Sequence, residues 1–597
     1  MAEIKLSDYL AKRLQEHYGV KHFFMVSGGG AMHLNDSLGR YIPYTANHHE
    51  QACSFAAEGY ARVNQELAVV NVTTGPGGLN CLNGVFGQWS DSVPVLYISG
   101  QVKYATTLAS APHIPLRQLG DQEVDIISVV KPLTKYAVMI TNPLEIKYHL
   151  DKAIYLATNG RKGPVWLDIP IDIQATIIDE ENLIEFDRSE CGECKDVDSS
   201  VLEQVISALQ KSKTPLIIAG HGVRIAHQVE NLKALLTRLN IPVVTTFNGM
   251  DSIESTHTNY IGRIGSLGQR AGNFALQNAD LILCLGTRNN IRQVSYNYEN
   301  YAKNAYKIVV DIDKAELQKP TLTPDIAICA DLSEFIPKLL QIAPSITRPA
   351  WLGFCQNLRE RYSTIEQKQG EKIEPYHFVE TFTRCLKPST ILVMANGSAC
   401  VCTFARSIIK NDQRHILNSG NASMGFALPA AIGSYYASKG REIVCLEGDG
   451  SIMMNIQELQ TLKSANIPIK LFILHNDGYS SIRQTQKNFF NGNLTGSGAS
   501  SGVEVPDFVE LGRAFGLQTK RLSDPNTLEK DLMQILESKG AVLVEIMLEQ
   551  DYDFAPKLSA KILEDGSMIS PSLEDLSPFL SKEEMAENIF TTNKGEV

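Results

Sequence analysis

Residues 446–482 read LEGDGSIMMNIQELQTLKSANIPIKLFILHNDGYSSI, and they predict a single βαβ unit. An apolar strand ends at Leu446, a GDGS turn and a helical pattern follow, and a second apolar strand leads into HNDGY. Units of this kind join parallel strands, so both strand ends open at the same edge of the sheet. In open α/β sheets that edge is where ligands bind.

The same alternation of strands and helices continues through most of the chain. Short apolar runs bounded by turn residues include LAVVNVTT, VPVLYISG, TPLIIAG, LILCLG and YKIVVDID. Runs that are apolar on both faces are typical of parallel strands covered by helices on both sides. The sequence therefore predicts an α/β protein built from doubly wound parallel sheets.

Two segments interrupt this alternation and divide the chain. Residues 179–200 are polar and acidic, and residues 348–375 form a charged helical pattern. We expect three consecutive doubly wound domains, which we call the first, second and third blocks, followed by a polar tail: residues 1–185, 195–350, 371–555 and 556–597. The tail is expected to form a lid or to wrap over a neighbour.

The composition indicates a globular protein and argues against two kinds of partner. Of the 597 residues, 44% are hydrophobic and 20% are charged, which suits a chain with buried cores. A net charge of -11 without dense Lys/Arg runs argues against nucleic-acid binding. No apolar stretch reaches the ~18–20 residues that span a bilayer, and the N-terminus lacks a signal sequence. A cytoplasmic protein without membrane contact is therefore expected.

The eleven cysteines are scattered, and several lie inside apolar strands. This distribution predicts reduced, structural thiols. CGEC at 191–194 is a candidate metal or redox pair, but the sequence has no second pair at zinc spacing, which favours the structural interpretation.

Oxygen ligands for a metal are placed at both ends of the quoted βαβ unit. Asp449 supplies an anionic oxygen, Asn476 a neutral amide oxygen and Gly478 a backbone carbonyl. Mg²⁺ prefers an octahedral shell of such oxygens and shares it with substrate phosphates. We therefore predict a magnesium site formed by these three residues.

The glycines of the same turn suit a phosphate group. Gly448 and Gly450 let the backbone come close, and the amides of Gly450 and Ser451 at a helix start can face phosphate oxygens. An ordinary tight turn is the alternative explanation of GDGS alone. The 25 residues between Gly450 and Asn476, bounded by strands at both ends, favour a diphosphate–metal site.

GDGS…HND resembles the cofactor motif of thiamine diphosphate-dependent enzymes, which runs GDG, a spacer and then NN or a close variant. Further segments are similar to the large catalytic subunits of the acetolactate synthase family, over roughly residues 1–555: HHEQACSFAAEGYAR, TTGPGGLN, DSVPVLYISGQV, LATNGRKGPVWLDIPIDIQ and NASMGFALPAAIG. The resemblance implies a pyrimidine-binding first block, an FAD- or nucleotide-binding-like second block, and a third block that binds diphosphate and Mg²⁺.

Glu50 stands at the start of an Ala-rich helical run. For this residue alone, a favourable interaction with the helix dipole is the better explanation. In the family, however, a glutamate at this position hydrogen-bonds the aminopyrimidine ring and promotes loss of the thiazolium proton. The resemblance therefore implies that Glu50 is catalytic.

The resemblance also assigns neighbours to the cofactor and the substrate. Gln122 matches a glutamine that contacts substrate, although Asp121 replaces the phenylalanine that precedes it in the family. Ser398-Ala399 replaces a common Gln-His pair after Gly397, which alters one diphosphate contact. The cofactor residues implied in the first and third blocks, in addition to those of the GDGS turn, are Gly28, Gly29, Gly75, Asn80, Gly397, Ser398, Met424, Asn476, Gly478 and Tyr479.

Family members place the cofactor between the first block of one subunit and the third block of another. The resemblance therefore implies a homodimer or homotetramer. In the second block it implies FAD, bound by Gly220, Gly222, Arg288, Arg292, Asp311 and Asp331. Asn289 and Asn290 replace family acids between the two arginines, and an empty domain or one holding ADP is the alternative.

The implied reaction starts with a 2-oxo acid, with pyruvate as the expected donor, and ends by transferring a two-carbon unit to a carbonyl acceptor. Acetolactate synthases carry a tryptophan after the metal loop that selects a second 2-oxo acid, and Thr485 occupies that position here. DGYSSIRQTQ and the tail segment PKLSAKILEDGSM resemble acetolactate synthase-like enzymes that add a two-carbon branch to nucleotide-linked keto-sugars, so the resemblance favours such a keto-sugar as the acceptor. True acetolactate synthesis, simple decarboxylation, pyruvate oxidation and a catalytically silent subunit are the alternatives.

Overall fold

A computed structural model describes residues 3–191, 197–363, 371–562 and 568–591. Three six-stranded sheets, each fully parallel, follow one another along the chain. Helices cover both faces of each sheet, and most strands are buried throughout, as predicted from their continuous apolar runs. The predicted α/β class with three doubly wound sheets is confirmed.

The first sheet has the strand order β3-β2-β4-β5-β7-β6, and β1 pairs with β8 in a separate antiparallel ribbon. The elements of the first block are β1 Glu3–Lys5, α1 Leu6–Lys12, β2 Phe23–Met25, α2 Met32–Tyr41, β3 Tyr44–Ala46, α3 Glu50–Asn64, β4 Ala68–Val72, α4 Pro76–Asn80, α5 Leu82–Asp91, β5 Val95–Gln101, α6 Ile126–Val130, β6 Tyr136–Met139, α7 Ile146–Thr158, β7 Val165–Pro170, α8 Ile171–Ala175 and β8 Ile177–Asp179.

The second sheet has the order β11-β10-β9-β12-β13-β14. Numbered within the block this is 3-2-1-4-5-6, the order of dinucleotide-binding folds, whose ligands lie where the order reverses, between β9 and β12. The elements are α9 Ser199–Lys211, β9 Pro215–Ala219, α10 Gly222–Ile225, α11 Val229–Leu239, β10 Val243–Thr245, β11 Tyr260–Arg263, α12 Arg270–Asn278, β12 Leu281–Leu285, α13 Ile291–Val294, β13 Tyr306–Asp311, β14 Ile326–Cys329, α14 Leu332–Ile342 and α15 Pro349–Arg361.

The third sheet has the order β16-β15-β17-β18-β20-β19. It repeats the order of the first sheet, because both read 2-1-3-4-6-5 when the six strands of each sheet are numbered along the chain. The elements, including those of the tail, are α16 Pro375–Cys385, β15 Ile391–Met394, α17 Ser398–Arg406, β16 Arg414–Ile416, α18 Ala427–Ala437, β17 Ile443–Gly448, α19 Asp449–Ile452, α20 Glu458–Ser464, β18 Lys470–His475, α21 Ser480–Phe489, α22 Phe508–Ala514, β19 Gln518–Leu522, α23 Leu528–Glu537, β20 Val542–Met547, β21 Lys561–Ile562, β22 Met568–Ile569 and α24 Lys582–Glu587.

The first and third blocks meet where α3 crosses α18. A Cβ added to Gly59 would lie 2.0 Å from the carbonyl oxygen of Ala430, and one added to Gly433 would lie 1.8 Å from that of Ala56. The two helix backbones are therefore in direct contact, which only glycine permits at these positions. The Ala-rich helix α3 therefore packs closely against α18.

The tail returns to the second block of its own chain. Asn273 donates a hydrogen bond of 2.9 Å to the backbone oxygen of Leu573, and the ring of Phe590 packs edge-on against Trp351 with 5.3 Å between centroids. Leu573 and Trp351 belong to the same buried cluster. The tail thus packs over the second block of its own chain.

Two further predictions concern cysteines and membranes. The ten cysteines in the part of the chain that the structure describes are all reduced thiols, and seven of them are buried. The CGEC prediction falls largely on residues 192–194, which lie outside the described residues. Within the described ranges, no helix combines the length and the hydrophobicity that crossing a membrane requires.

Candidate active site

The metal loop is organised around Asp449, the first residue after β17. Its Oδ1 accepts the backbone N–H of Gly450 at 2.7 Å, and its Oδ2 accepts those of Asn476 at 2.8 Å and Gly478 at 3.0 Å. Burial raises the pKa of Asp449, and the three N–H donors oppose that shift. The carboxylate thus joins the ends of β17 and β18, as expected for neighbouring parallel strands.

Asn476 has its amide nitrogen paired and its amide oxygen free. Nδ2 donates to Ser398 Oγ at 3.0 Å and to Tyr552 Oη at 3.1 Å. Oδ1 is buried and has no hydrogen-bond partner among the described residues. A buried acceptor left unpaired is costly, so this oxygen is suited to a ligand that carries positive charge.

Gly478 and Tyr479 complete the loop. Gly478 has φ +95°, and its carbonyl accepts the N–H of Ser480 at 3.2 Å with one lone pair remaining. The Tyr479 ring packs on Gly450, where an added Cβ would lie 2.5 Å from the ring. Gly450 is therefore required for the position of Tyr479 as well as for the turn.

Gly397 and Ser398 begin α17 at the same edge of the sheet. Gly397 has φ +86°, and no atom lies within 4 Å of an added Cβ, so the backbone here faces open space. The hydroxyl of Ser398 is engaged by Asn476 and Tyr552. Gly397 is thus placed to contact a ligand, whereas the Ser398 side chain supports a metal-loop residue.

Met424 lies in the turn before α18, next to the metal loop. The N–H of Gly425 donates to Ser451 Oγ at 2.9 Å, and Asn455 Nδ2 donates to the carbonyl of Gly425 at 2.9 Å. Ser451 ends the GDGS turn and Asn455 follows it, so residues of this turn and of the segment after it fix the Met424 turn. The half-buried Met424 is thereby brought beside the other predicted cofactor residues of the third block.

Glu50 occupies the first turn of α3 and is half-buried. Its Oε2 accepts a hydrogen bond of 2.9 Å from Asn80 Nδ2, and a Cβ added to Gly77 would lie 3.6 Å from Oε1. Both neighbours belong to the turn after β4, where the sequence predicted cofactor contacts. The structure therefore brings Glu50 and Asn80 together.

Other first-block residues surround this turn through backbone contacts. A Cβ on Gly75, which has φ +58°, would lie 1.9 Å from the carbonyl oxygen of Gln122, so these two backbones touch. A Cβ added to Gly28 would lie 2.5 Å from the Cβ of Thr73, whereas no atom lies within 4 Å of a Cβ added to Gly29. Gln122 is exposed, with φ +62°.

The Glu50 turn is attached to the third block by α20. The buried carboxylate of Glu458 accepts from Asn47 Nδ2 at 2.8 Å and from the backbone N–H of His48 at 2.9 Å. Asn455 Nδ2 donates to Gln51 Oε1 at 2.9 Å. Residues on both sides of Glu50 are therefore held within one chain, by Glu458 of α20 and by Asn455, which lies just before that helix.

Thr485 lies on α21, which starts directly after the metal loop. Its side chain is exposed and donates to the carbonyl of Ser481 at 3.1 Å. Ile482 and Phe489 share its face of the helix and are 48% and 55% exposed. This face is open beside the loop, without a large ring at position 485.

A cavity of about 240 Å³ lies at the point where the strand order of the second sheet reverses. Five of the six residues predicted to bind FAD line it, and the sixth, Gly220, packs on Gly286, where an added Cβ would lie 2.2 Å from the carbonyl oxygen. The lining residues are Gly222, Arg288, Arg292, Asp311 and Asp331. The structure therefore gathers the predicted set at one place.

Several of these cavity residues also have structural partners. Asp331 caps α14 by accepting the N–H of Ser333 at 2.8 Å. Burial raises the pKa of Asp311. Asn289, which replaces a family acid, is buried and accepts from Gln293 Nε2 at 2.8 Å. The guanidinium of Arg292 lies 5.0 Å from the centroid of the Phe247 ring.

The third block fits a metal-bound diphosphate. The free Asn476 oxygen, the Asp449 carboxylate and the remaining lone pair of Gly478 form a set of hard oxygens. Gly397 leaves open space for a group at the N-terminus of the nine-residue helix α17. These residues would hold the ion and the diphosphate, and Glu50 and Asn80 would face the rest of the cofactor.

Family models match all three blocks. They are described as thiamine pyrophosphate enzyme, N-terminal TPP binding domain, central domain, and C-terminal TPP binding domain, at residues 4–128, 202–339 and 396–546. The chain belongs to the thiamine pyrophosphate enzyme family. Membership confirms the predicted resemblance, and the two TPP binding domains support thiamine diphosphate as the cofactor.

Several similar proteins are acetolactate synthases. The acetolactate synthase large subunit of Lactococcus lactis subsp. lactis is 31% identical over 95% of this chain and 97% of its own length. Acetolactate synthase isozyme 2 large subunit of Escherichia coli is 31% identical over 94% and 97%, and acetolactate synthase 1, chloroplastic, of Zea mays is 29% identical over 93% and 87%. The chain is a thiamine pyrophosphate-dependent, acetolactate synthase-like enzyme.

Sequence reasoning missed three residues of this thiamine pyrophosphate enzyme. Tyr552 contacts the predicted metal ligand Asn476, whereas Glu458 and Asn455 contact Asn47 and Gln51, which lie on either side of the predicted Glu50. Glu458 begins α20 and Asn455 lies just before it, in the βαβ unit of residues 446–482, where the helical pattern alone gives neither a role. Tyr552 lies beyond β20, and no local pattern marks it.

Proposed function

We propose that the protein is a carboligase that takes a two-carbon unit from pyruvate and transfers it to a carbonyl acceptor, a nucleotide-linked keto-sugar. The observation that carries this proposal is the attachment of the Glu50 turn to the segment that follows the GDGS loop. The Glu50 turn and a loop suited to metal and diphosphate are thereby fixed relative to each other in one chain, so that two copies could pair the Glu50 turn of one with the metal loop of the other. The experiment below uses the intact protein.

Thiamine diphosphate, when bound, supplies a nucleophilic carbon and an electron sink for loss of CO₂ from a 2-oxo acid. The role of Glu50 is to hold and move a proton at the aminopyrimidine nitrogen through its carboxylate. Asn80 orients that carboxylate by donating to Oε2. Asp449, Asn476 and Gly478 would hold Mg²⁺. Since no group of three His, Cys, Asp or Glu side chains suited to a metal occurs among the described residues, the ion would rely on neutral oxygens and the diphosphate.

The preference for a keto-sugar rests on the open face of α21. Thr485 presents a hydroxyl where acetolactate synthases carry a tryptophan, and Ile482 and Phe489 on the same face of the helix are exposed. Loss of a large ring leaves room for an acceptor bulkier than pyruvate, and it removes a surface that would hold a small 2-oxo acid. Gln122, which is exposed beside Gly75, is the proposed substrate contact from the first block.

Acetolactate synthesis from two pyruvate molecules is the second candidate. The named relatives at 31% identity over nearly the whole chain favour it. The two candidates share the donor and differ in the acceptor, so the identity of the product separates them.

The first test is incubation of the purified protein with thiamine diphosphate, Mg²⁺ and pyruvate, with and without a nucleotide-linked keto-sugar. We expect slow CO₂ release from pyruvate alone and faster release, with a branched sugar as product, when the keto-sugar is added. Rapid acetolactate formation from pyruvate alone would contradict the keto-sugar preference. Absence of CO₂ release under both conditions would contradict pyruvate as the donor.

We also propose that the cavity of the second block binds FAD or, alternatively, ADP. The strand order of that block and the gathering of its glycines and arginines at the reversal point support this. The test is to denature the purified protein and identify the released nucleotide by chromatography and flavin fluorescence. If neither FAD nor ADP is released and neither binds on addition, the proposal fails. Bleaching of a bound flavin by pyruvate would favour an oxidase.

We further propose a homodimer or homotetramer with sites shared between subunits. Exposed apolar side chains near both active-site turns, Met32, Leu79, Met453 and Met454, support contact with a second copy. Mixing a Glu50→Gln chain with an Asp449→Asn chain provides the test. Shared sites should recover up to about a quarter of wild-type activity, because half of randomly mixed dimers contain one intact site. No recovery from subunits shown to exchange would place Glu50 and Asp449 of each site in one chain.

A further inference from the structure

Three polar side chains from distant parts of the third block meet behind the metal loop. Asn476 donates through Nδ2 to Ser398 Oγ and to Tyr552 Oη, and the two hydroxyl oxygens are 2.5 Å apart. Both N–H bonds of the amide are therefore used on one side. The amide oxygen, on the other side, has no partner among the described residues, although Asn476 is only 3% exposed.

The orientation of this amide matters for metal binding. An asparagine can rotate by half a turn and exchange its oxygen and nitrogen at almost no change in shape. One orientation presents an oxygen that binds a cation, and the other presents an NH₂ group that repels it. Something besides packing must therefore select the oxygen.

We infer that Ser398 and Tyr552 are positioning residues that select the metal-binding orientation of Asn476 by accepting both of its N–H bonds. The inference rests on the proposed Mg²⁺ site. Neither hydroxyl touches the ion in this arrangement, so both act through Asn476. Groups behind a metal ligand fix its direction in this way.

The surroundings of the two hydroxyls suit acceptors. Tyr552 is half-buried, and its hydroxyl oxygen lies 2.5 Å from that of Ser398. One of the two hydroxyls can therefore donate to the other while both still accept from the amide. By accepting from Asn476, Ser398 has a role at the position after Gly397, where the family commonly has a different residue.

The experiment measures Mg²⁺ binding to the metal-free protein in the presence of saturating thiamine diphosphate, by calorimetry. Tyr552→Phe and Ser398→Ala should each weaken Mg²⁺ binding about tenfold, and the double variant up to about 100-fold. Tyr376→Phe is the matched control, because Tyr376 is a buried tyrosine of the same block whose hydroxyl accepts the N–H of Ala555 instead. Its Mg²⁺ affinity should equal that of the wild type.

A second variant separates orientation from a general loss of structure. In the Asn476→Asp variant the side chain is a carboxylate with two equivalent oxygens, so it presents an oxygen to the metal in either orientation. In that background Tyr552→Phe should change Mg²⁺ affinity less than about twofold, against about tenfold in the wild type. An equal loss in both backgrounds, or wild-type affinity in the Ser398→Ala/Tyr552→Phe protein, would overturn the inference.

The outcomes also separate this inference from the proposed reaction. If the wild type binds Mg²⁺ and the variants weaken it, but no carboligation occurs, the inference stands and the proposed function fails. If Mg²⁺ binding is absent from the wild type or unaffected by Asp449→Asn, the metal site is elsewhere and the inference fails with it.

Discussion

At the scale of single residues, Glu50 combines two features that seldom occur together. It belongs to the first turn of a helix, where a carboxylate is favoured by the helix dipole, and it faces the Asn80 amide at 2.9 Å. The amide fixes one oxygen and leaves the other available. This arrangement suits a group that must repeatedly take and return a proton.

Replacing Glu50 by glutamine keeps its size and removes the proton-transfer group. We expect CO₂ release to fall by about 10²–10⁴-fold, the usual range for loss of a general acid–base, with the fold unchanged. Glu66→Gln is the control, because Glu66 is an exposed glutamate of the same block. The measurement is steady-state CO₂ release, with circular dichroism to verify folding. Activity within tenfold of the wild type would exclude an essential proton transfer by Glu50.

Some residues of the site could be predicted from the sequence, and others could not. Asp449 and Asn476 could be predicted because a βαβ unit places consecutive strand ends at one edge. Tyr552 could not, since it lies 76 residues from the Asn476 amide that it orients, and Glu458 lies 411 residues from Asn47. Such contacts depend on how blocks and late segments pack, and strand and helix periodicity carries no information about that packing.

At the scale of elements, the crossing of α3 and α18 depends on glycine. Gly433→Ala would place a methyl group 1.8 Å from the Ala56 carbonyl oxygen, so the helices would have to move apart. We expect a loss of about 1–3 kcal/mol of stability, as for other overpacked cores. The thermal midpoint measures it. The matched control is Gly353→Ala in α15, where nothing lies within 4 Å and alanine should be neutral or favourable. Equal midpoints for the two variants would contradict this account of the crossing.

The attachment of the Glu50 turn by α20 gives a second prediction at this scale. Glu458→Ala leaves Asn47 and the His48 N–H without their acceptor. We expect faster hydrogen exchange across residues 44–52 of the cofactor-free protein, and a turnover number lower by about 10–100-fold because Glu50 is misplaced.

Gln460→Ala, on the exposed face of the same helix, is the control for that change. It should leave both the exchange rates and the turnover number as they are. Unchanged exchange across residues 44–52 in the Glu458 variant would show that the turn is held by other contacts.

The hydrophobic periodicity of the sequence predicted the strands but not their order in the sheets. The apolar runs predicted all three parallel sheets, because strands buried on both faces have continuous apolar sequences. The strand orders were not predicted, since a run such as LILCLG does not specify its neighbours. The order 3-2-1-4-5-6 in the second block required the structure, and it places the predicted Gly222 and Arg288 at one cavity.

At the scale of the whole molecule, contacts between blocks involve buried, uncharged histidines. His22 of the first block stacks on Tyr436 of α18, with 3.9 Å between centroids, and burial lowers its pKa to about 4. Its ordinary pKa is 6.5, so the unfolded chain binds this proton at a higher pH than the folded one does. Stability from the neutral ring is complete above pH 6.5 and is lost as the pH falls towards 4.

We therefore expect acid to weaken the protein, with His22 contributing up to about 1.4 kcal/mol per pH unit between these two values. His22→Phe keeps the stacked ring and removes the titration, so its thermal midpoint should fall less between about pH 7 and about pH 5. His113→Phe, at an exposed histidine, is the control. The same acid dependence in His22→Phe as in the wild type would contradict the prediction.

The position of the tail has a consequence for biosynthesis. The chain is made from its N-terminus, so residues 568–591 leave the ribosome only after the third block has been made. Until then, the face of the second block that receives Leu573 and Phe590 is open to water. A premature stop codon just after the third block would therefore damage the second. Such a truncation should be lost as aggregated protein even though every predicted catalytic residue is still encoded.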